Sequence, residues 1–122
     1  MAKFAPNGFY TNGLGYAAGA NVMHICSSQP ATYAAAVSAS LADVAMSSGD
    51  FTEGTGDVSG RKLTVAAKNA VTVNASGDGT HIVLADSVGE TLRYITTCTT
   101  QTLTAGNTMN FLTWDIEISA PA

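Results

Sequence analysis

Short runs of alternating apolar and polar residues, separated by clusters of Gly, Asn, Asp and Ser, recur along the second half of the chain. Such alternation is typical of β-strands that bury one face. The clearest run lies at 109–119, where polar Thr113, Asp115 and Glu117 alternate with four apolar residues. We expect these four to anchor the core: Leu112, Trp114, Ile116 and Ile118.

The remaining runs predict a mostly β, antiparallel domain. Strands are expected at 21–26, 41–46, 63–65, 71–73, 80–85 and 91–97, with a short one near Phe51. Strands this short, interrupted by turn residues, are typical of a sandwich or jelly roll and not of alternating strands and helices. The Ala-rich segment at 31–40 leaves room for at most one short helix. One domain is predicted over residues 21–122.

Residues 1–20 show neither a strand nor a helix period, and they mix Gly and Asn with aromatic side chains. The segment is predicted to be an irregular arm, or to include one helical turn at 14–18. Its aromatic residues would be covered by the domain or by a neighbouring protein, because an exposed aromatic cluster usually marks an interface. The predicted contacts are Phe4, Phe9, Tyr10 and Tyr16.

Charged residues make up only 11% of the 122-residue chain, and the formal net charge is -4. The five basic residues form no stripe along the sequence, which argues against nucleic acid and anionic membranes as partners. No apolar run reaches the length of a membrane span, and the first residues lack the pattern of a secretory signal. We therefore expect a chain kept in a cytoplasm, with Cys26 and Cys98 unpaired.

Residue types that carry chemistry are few and scattered. His24 and His81 have no acid, Cys or second His at a spacing that would build a triad or a metal site. Asp115 and Glu117 share a strand face, as a glycosidase pair would, but alternating acids on an outer face are ordinary solvation. The acids of the loop at 50–57 do not follow the spacing of an EF-hand loop, and whether this loop binds a cation stays an open question at this point. No catalytic residue, cofactor or metal is predicted.

The C-terminal half, with SGRKLTVAAKNAVTV, GDGTHIVLAD and LRYITTCTTQTLTAGNTMNFLTWDIEIS, resembles small virion proteins of tailed bacteriophages. The segments SSQPATYAAA and LADVAMSSGDFT are similar to their N-terminal half. The resemblance implies a virion β-sandwich without enzymatic activity, assembled in the host bacterial cytoplasm. It would decorate or cement the capsid by binding the major capsid protein and neighbouring copies, as a homo-oligomeric trimer or ring, or form part of the tail or neck.

Two other functions stay open at this point. A module that binds a carbohydrate or a host surface would gather aromatic side chains at one edge, for which Tyr33, Phe51 and Tyr94 are the candidates. An enzyme would need a His and an acid together in a cleft.

Overall fold

The computed structural model describes residues 7–56 and 60–118, and the side chains in this part of the chain from residue 13 onward. Over these residues two α-helices and nine strands are formed. In chain order they are α1 (Asn7–Ala18), β1 (Val22–Cys26), α2 (Tyr33–Ala39), β2 (Ser40–Ala45), β3 (Phe51–Thr55), β4 (Arg61–Val65), β5 (Lys68–Thr72), β6 (Gly77–Asp86), β7 (Thr91–Leu103), β8 (Thr108–Phe111) and β9 (Trp114–Ile118).

The strands form three antiparallel sheets. The largest has the order β2-β1-β6-β7, the second β3-β4-β9, and β5 pairs with β8. The prediction of a small, mostly β, sandwich-like domain is confirmed. Strand β5 begins at Lys68, three residues before the strand expected at 71–73, and pairs with β8, while β4 belongs to another sheet.

The four-stranded sheet is covered on both faces. Alternate residues of β1 and β6, such as Met23 and Leu84, enter the main core, which the two smaller sheets and α1 complete. Val83 and Ala85 point to the opposite face and pack with Ala36 of α2. Helix α2 begins after Thr32, whose hydroxyl accepts a hydrogen bond from the Ala35 amide. Such a cap satisfies one of the free amides at a helix start.

The N-terminal segment differs from its prediction as an irregular arm, because Asn7–Ala18 is a helix of 12 residues. Since α2 is a second helix, the described chain has one helix more than the single short one that was expected. Leu14 and Ala17 lie in the main core with exposed fractions of 1% and 3%. Gly13, one of the glycines that hide a helix period in the sequence, allows close packing: a Cβ at this position would lie 3.2 Å from Ile118 Cδ1. Tertiary burial therefore outweighs the low helix propensity of Gly.

The predicted single strand at 109–119 is wrong in length, whereas the predicted alternation holds from Trp114 to Ile118. It is two strands in different sheets, β8 and β9, joined by two residues that pair with neither. Phe111 ends β8 in the core, whereas Leu112 is 77% exposed and is not a core anchor. Ile116 is buried as predicted, and Trp114 and Ile118 are half-buried against the core.

Candidate functional site

Strand β7 is the longest strand of the described chain and lies at one edge of the four-stranded sheet, where β6 is its neighbour. Residues 94–104 contain neither a charged residue nor a proline. Its exposed side chains after Tyr94 are hydroxyls and one amide, on Thr97, Thr99, Thr100, Gln101 and Thr102. Because an edge strand leaves backbone N–H and C=O groups unpaired, proteins usually guard it with charges or proline. This edge has neither guard.

In the described part of the chain, the outer strands of the two larger sheets other than β7 are protected. Leu41 and Ala42 of β2 contact the segment after β5, through an Ala42–Val73 bridge and a 2.7 Å hydrogen bond from the Asn74 amide to the Leu41 carbonyl. The edge strands of the three-stranded sheet, β3 and β9, carry acidic residues. The lack of protection on β7 is therefore a local feature and not a general property of the fold.

A groove of about 360 Å³ runs beside β7, between its second half and the connection from β8 to β9. The exposed side chain of Leu112 lines it, as does Trp114. The rings of Tyr94 and Trp114 stack with their centroids 6.0 Å apart, which joins the strand to the opposite wall. Asp115 is the single charged residue of the described lining. The edge and the uncharged part of the groove lining together form a partly apolar surface, which we call the β7 surface: residues 94–103, Leu112 and Trp114.

Strand β7 is bulged against β6. Gly79 pairs with Gln101 and His81 with Thr97, so Thr80 alone faces three residues of β7, 98–100. A bulge of this kind increases the local twist and interrupts regular pairing. A regular part of the β7 edge is consequently the segment 94–97, which lies between this bulge and a second irregularity at Arg93.

A cluster around Arg93 fixes the start of the strand to α1. The Arg93 guanidinium donates to Asp86 and to the Tyr16 carbonyl, each at 3.2 Å, and lies 4.4 Å from the centroid of the Tyr16 ring. The Tyr16 hydroxyl donates to the Leu92 carbonyl at 3.4 Å. Backbone amides of Gly89 and Val88, with Arg93, hold the pKa of Asp86 below its usual value. Tyr16 thus contacts its own domain.

Of the other predicted arm contacts, Phe4 lies outside the described residues. Phe9 and Tyr10 belong to α1, and their side chains lie outside the described part of the structure.

The two histidines lie on different strands and have separate partners. His24 is 97% buried, with Nδ1 2.9 Å from the Ser40 hydroxyl, which itself donates to the Ala42 carbonyl. Burial lowers the pKa of His24, and the nearby Asp43 carboxylate partly opposes this. His81 contacts Thr80 at 2.9 Å.

The acidic side chains that could suggest catalysis or cation binding are paired with bases. Asp50 lies 2.9 Å from Lys68, Glu53 3.0 Å from Arg61, and Asp115 3.6 Å from Lys62. Hydrogen bonds from Ser47 and Lys68 hold the pKa of Asp50 below its usual value. Asp57, part of the acidic loop, lies outside the described residues. Within the described chain, no three His, Cys, Asp or Glu residues cluster to form a metal site.

Comparison with protein-family models, with curated proteins and with solved structures found no match. Among the described residues, no helix is long and apolar enough to cross a membrane. The function is therefore inferred from the geometry of this chain.

The uncharged edge of β7 is the functional feature that sequence reasoning missed. Its signal is present in the sequence, as part of the uncharged run from Tyr94 to Trp114, but only the strand order places residues 94–103 at an edge. Because Leu112 was predicted to lie in the core, the sequence analysis did not identify it as an exposed apolar residue of this surface.

Proposed function

We propose that the chain is a non-enzymatic structural subunit of a tailed-phage virion, which decorates or cements the capsid by binding the major capsid protein and neighbouring copies. The observation that carries this proposal is the unguarded, uncharged edge of β7. The likeness of the quoted segments to virion proteins supports the choice of a virion among possible assemblies.

A subunit present in many copies buries much of its surface against neighbours. Burying an isolated charge has a high free-energy cost, whereas threonine hydroxyls can be satisfied across a protein contact. The β7 surface presents hydroxyls, backbone groups and Leu112, and so meets this requirement. The scattered histidines and paired acids offer no comparable argument for catalysis.

We assign the capsid contact to Phe4, Phe9, Tyr10 and Tyr16. Tyr16 is 52% exposed even though its ring and hydroxyl contact Arg93 and the Leu92 carbonyl, so it keeps its place in the predicted set. Contacts between neighbouring copies are assigned to the β7 surface.

Quantitative mass spectrometry of purified particles from the phage that encodes the chain tests this function. Copies by the hundred per particle would support capsid decoration, since shell symmetry multiplies each position. A few dozen or fewer would instead support the tail or neck. Absence of the chain from particles would overturn the proposal.

A carbohydrate-binding or host-surface module is less favoured by the geometry. Its candidate aromatic residues lie on three different elements: Tyr33 on α2, Phe51 on β3 and Tyr94 on β7. Tyr33 packs on the α2 face of the large sheet, while Phe51 packs against the main core. No shared aromatic platform results from these three residues.

A further inference from the structure

We propose that two copies of the chain pair through strand β7, antiparallel about a twofold axis, so that their four-stranded sheets join into one sheet of eight strands. The regular edge segment 94–97 lies at the centre of the contact. The inference rests on the proposed function for its setting in a virion, and it names the surface by which neighbouring copies meet.

The backbone supplies the attraction. On the outer side of β7, within the described chain, no strand satisfies the edge N–H and C=O groups. A second strand satisfies them in a regular ladder, as β-strand addition does in other complexes. The segment 94–97 keeps an unbroken register with β6 from His81 to Leu84, so its backbone is already extended for pairing.

The absence of charge on this edge segment favours a second copy of the chain as the partner. About a twofold axis, each residue near the centre lies opposite itself or a residue a few positions away. Like charges placed opposite each other would destabilise such a pair, whereas Thr–Thr pairs stabilise it. Here the facing residues are Tyr94, Ile95, Thr96 and Thr97, none of them charged. A strand rich in Lys or Glu would find no counter-charge on this edge.

The groove beside β7 gives the pair an apolar component. Leu112 is 77% exposed and lines the groove together with Thr96 and Thr97. A second copy paired along 94–97 lies next to this groove, because Thr96 and Thr97 belong both to the edge and to the groove lining. Burial of Leu112 and of the half-exposed Tyr94 would then add hydrophobic stabilisation to the backbone hydrogen bonds.

Sedimentation equilibrium tests the pairing directly. The wild-type protein is expected at twice its monomer mass of 12.4 kDa. Thr97→Lys should raise the dimer dissociation constant at least about tenfold, because two ammonium groups then meet near the axis. Thr52→Lys is the matched control, since Thr52 is an exposed threonine on edge strand β3, and it should leave the dimer intact. A monomeric wild type, or equal weakening by both substitutions, would overturn the inference.

Disulfide trapping locates the axis. Single cysteines are introduced as Ile95→Cys, Thr96→Cys or Thr97→Cys in a Cys98→Ser background, with buried Cys26 left in place. One of the three positions should form a disulfide-linked dimer much faster than Thr52→Cys, because a residue at the axis lies opposite its own copy. Equal rates at all four positions would contradict β7 pairing.

The outcomes separate the two proposals. A dimer that is absent from virions would overturn the proposed function and leave the pairing standing. A virion protein that stays monomeric in solution and does not trap at 95–97 would overturn the pairing alone.

Discussion

Gly79 of β6 packs directly against Ile25 of β1: a Cβ added at Gly79 would lie 2.5 Å from Ile25 Cδ1. Ile25 is fully buried, and its Cγ1 would lie only 2.7 Å from the same Cβ, so a shift of the terminal methyl alone would not relieve the clash. The small residue at 79 is therefore a packing requirement of the main core, next to the bulge of β7.

Gly79→Ala should lower the free energy of unfolding by about 1–3 kcal/mol, as overpacking of a core does. The matched control is Gly54→Ala on β3, where no atom lies within 4 Å of an added Cβ. Urea denaturation measures both variants. Equal stability of the two would show that Ile25 can rearrange without cost.

Two leucines test the corrected assignments at both ends of the chain. Leu14→Ala removes a side chain that is 1% exposed and should cost about 2–5 kcal/mol of unfolding free energy. Leu112→Ala makes the same chemical change at a residue that is 77% exposed, and should change stability by less than about 0.5 kcal/mol. Thermal or urea unfolding gives the comparison. The reverse order would restore the original core assignment of Leu112.

Because Leu14 is buried, the docking role of the N-terminal aromatic residues is better tested by substitution than by truncation. A deletion of residues 2–16 removes part of the main core as well as the aromatic contacts, so it would test folding and docking together. Substituting Phe4, Phe9 and Tyr10 by Ser leaves Leu14 in place. Loss of co-sedimentation with undecorated capsids, with unfolding unchanged, is the result expected for docking residues.

His24 should make stability depend on pH. Because burial lowers its pKa in the folded state, the unfolded chain binds the proton more readily. The free energy of unfolding should then fall as pH falls below about 6.5, the usual pKa of histidine, until the folded-state pKa is reached. Measurement between about pH 7.5 and about pH 5.5 keeps the carboxylates ionised.

The variant His24→Asn should reduce this pH dependence. The asparagine amide takes the place of the imidazole near Ser40, and an amide does not titrate. His81→Asn is the control and should retain the wild-type dependence. If the slope is the same in His24→Asn and in wild type, burial of His24 is not its source.

The two free thiols should be slow to react in the folded protein. Burial raises the pKa of Cys26 to about 11 and raises that of Cys98, so little thiolate is present near neutral pH. Iodoacetamide should modify Cys98, which is only partly buried, before Cys26. Intact mass should show two modified thiols in denaturant without reductant. Two unmodified cysteines there would indicate a disulfide.

Sequence reasoning predicted the elements whose burial alternates residue by residue. Strand β4 follows that rule, with Leu63 and Val65 buried and Thr64 between them only partly buried, and it lies where the alternation placed it. Helix α1 was missed because glycine has a low helix propensity, whereas the close packing of Gly13 on Ile118 is visible only in the tertiary structure. Leu112 was misassigned because the chain changes sheets there, a tertiary event without a local pattern.

The candidate site was harder to predict for the same reason. The uncharged run at 94–104 is visible in the sequence, yet its meaning depends on which strands lie beside it. The stacking of Tyr94 on Trp114 joins residues from two sheets, and neither residue type nor spacing indicates that contact.

The strand order of the large sheet also affects how the chain folds during synthesis. Strand β1 lies between β2, which follows it closely, and β6, which is translated much later; Met23 pairs with Leu84. Until the ribosome has released β6, the apolar side chains of β1 have only half of their final neighbours. Contacts so distant in sequence slow folding and prolong the exposure of strand edges. A nascent chain stopped before residue 77 should therefore be recognised by chaperones, whereas one extended past β7 can close its central sheet.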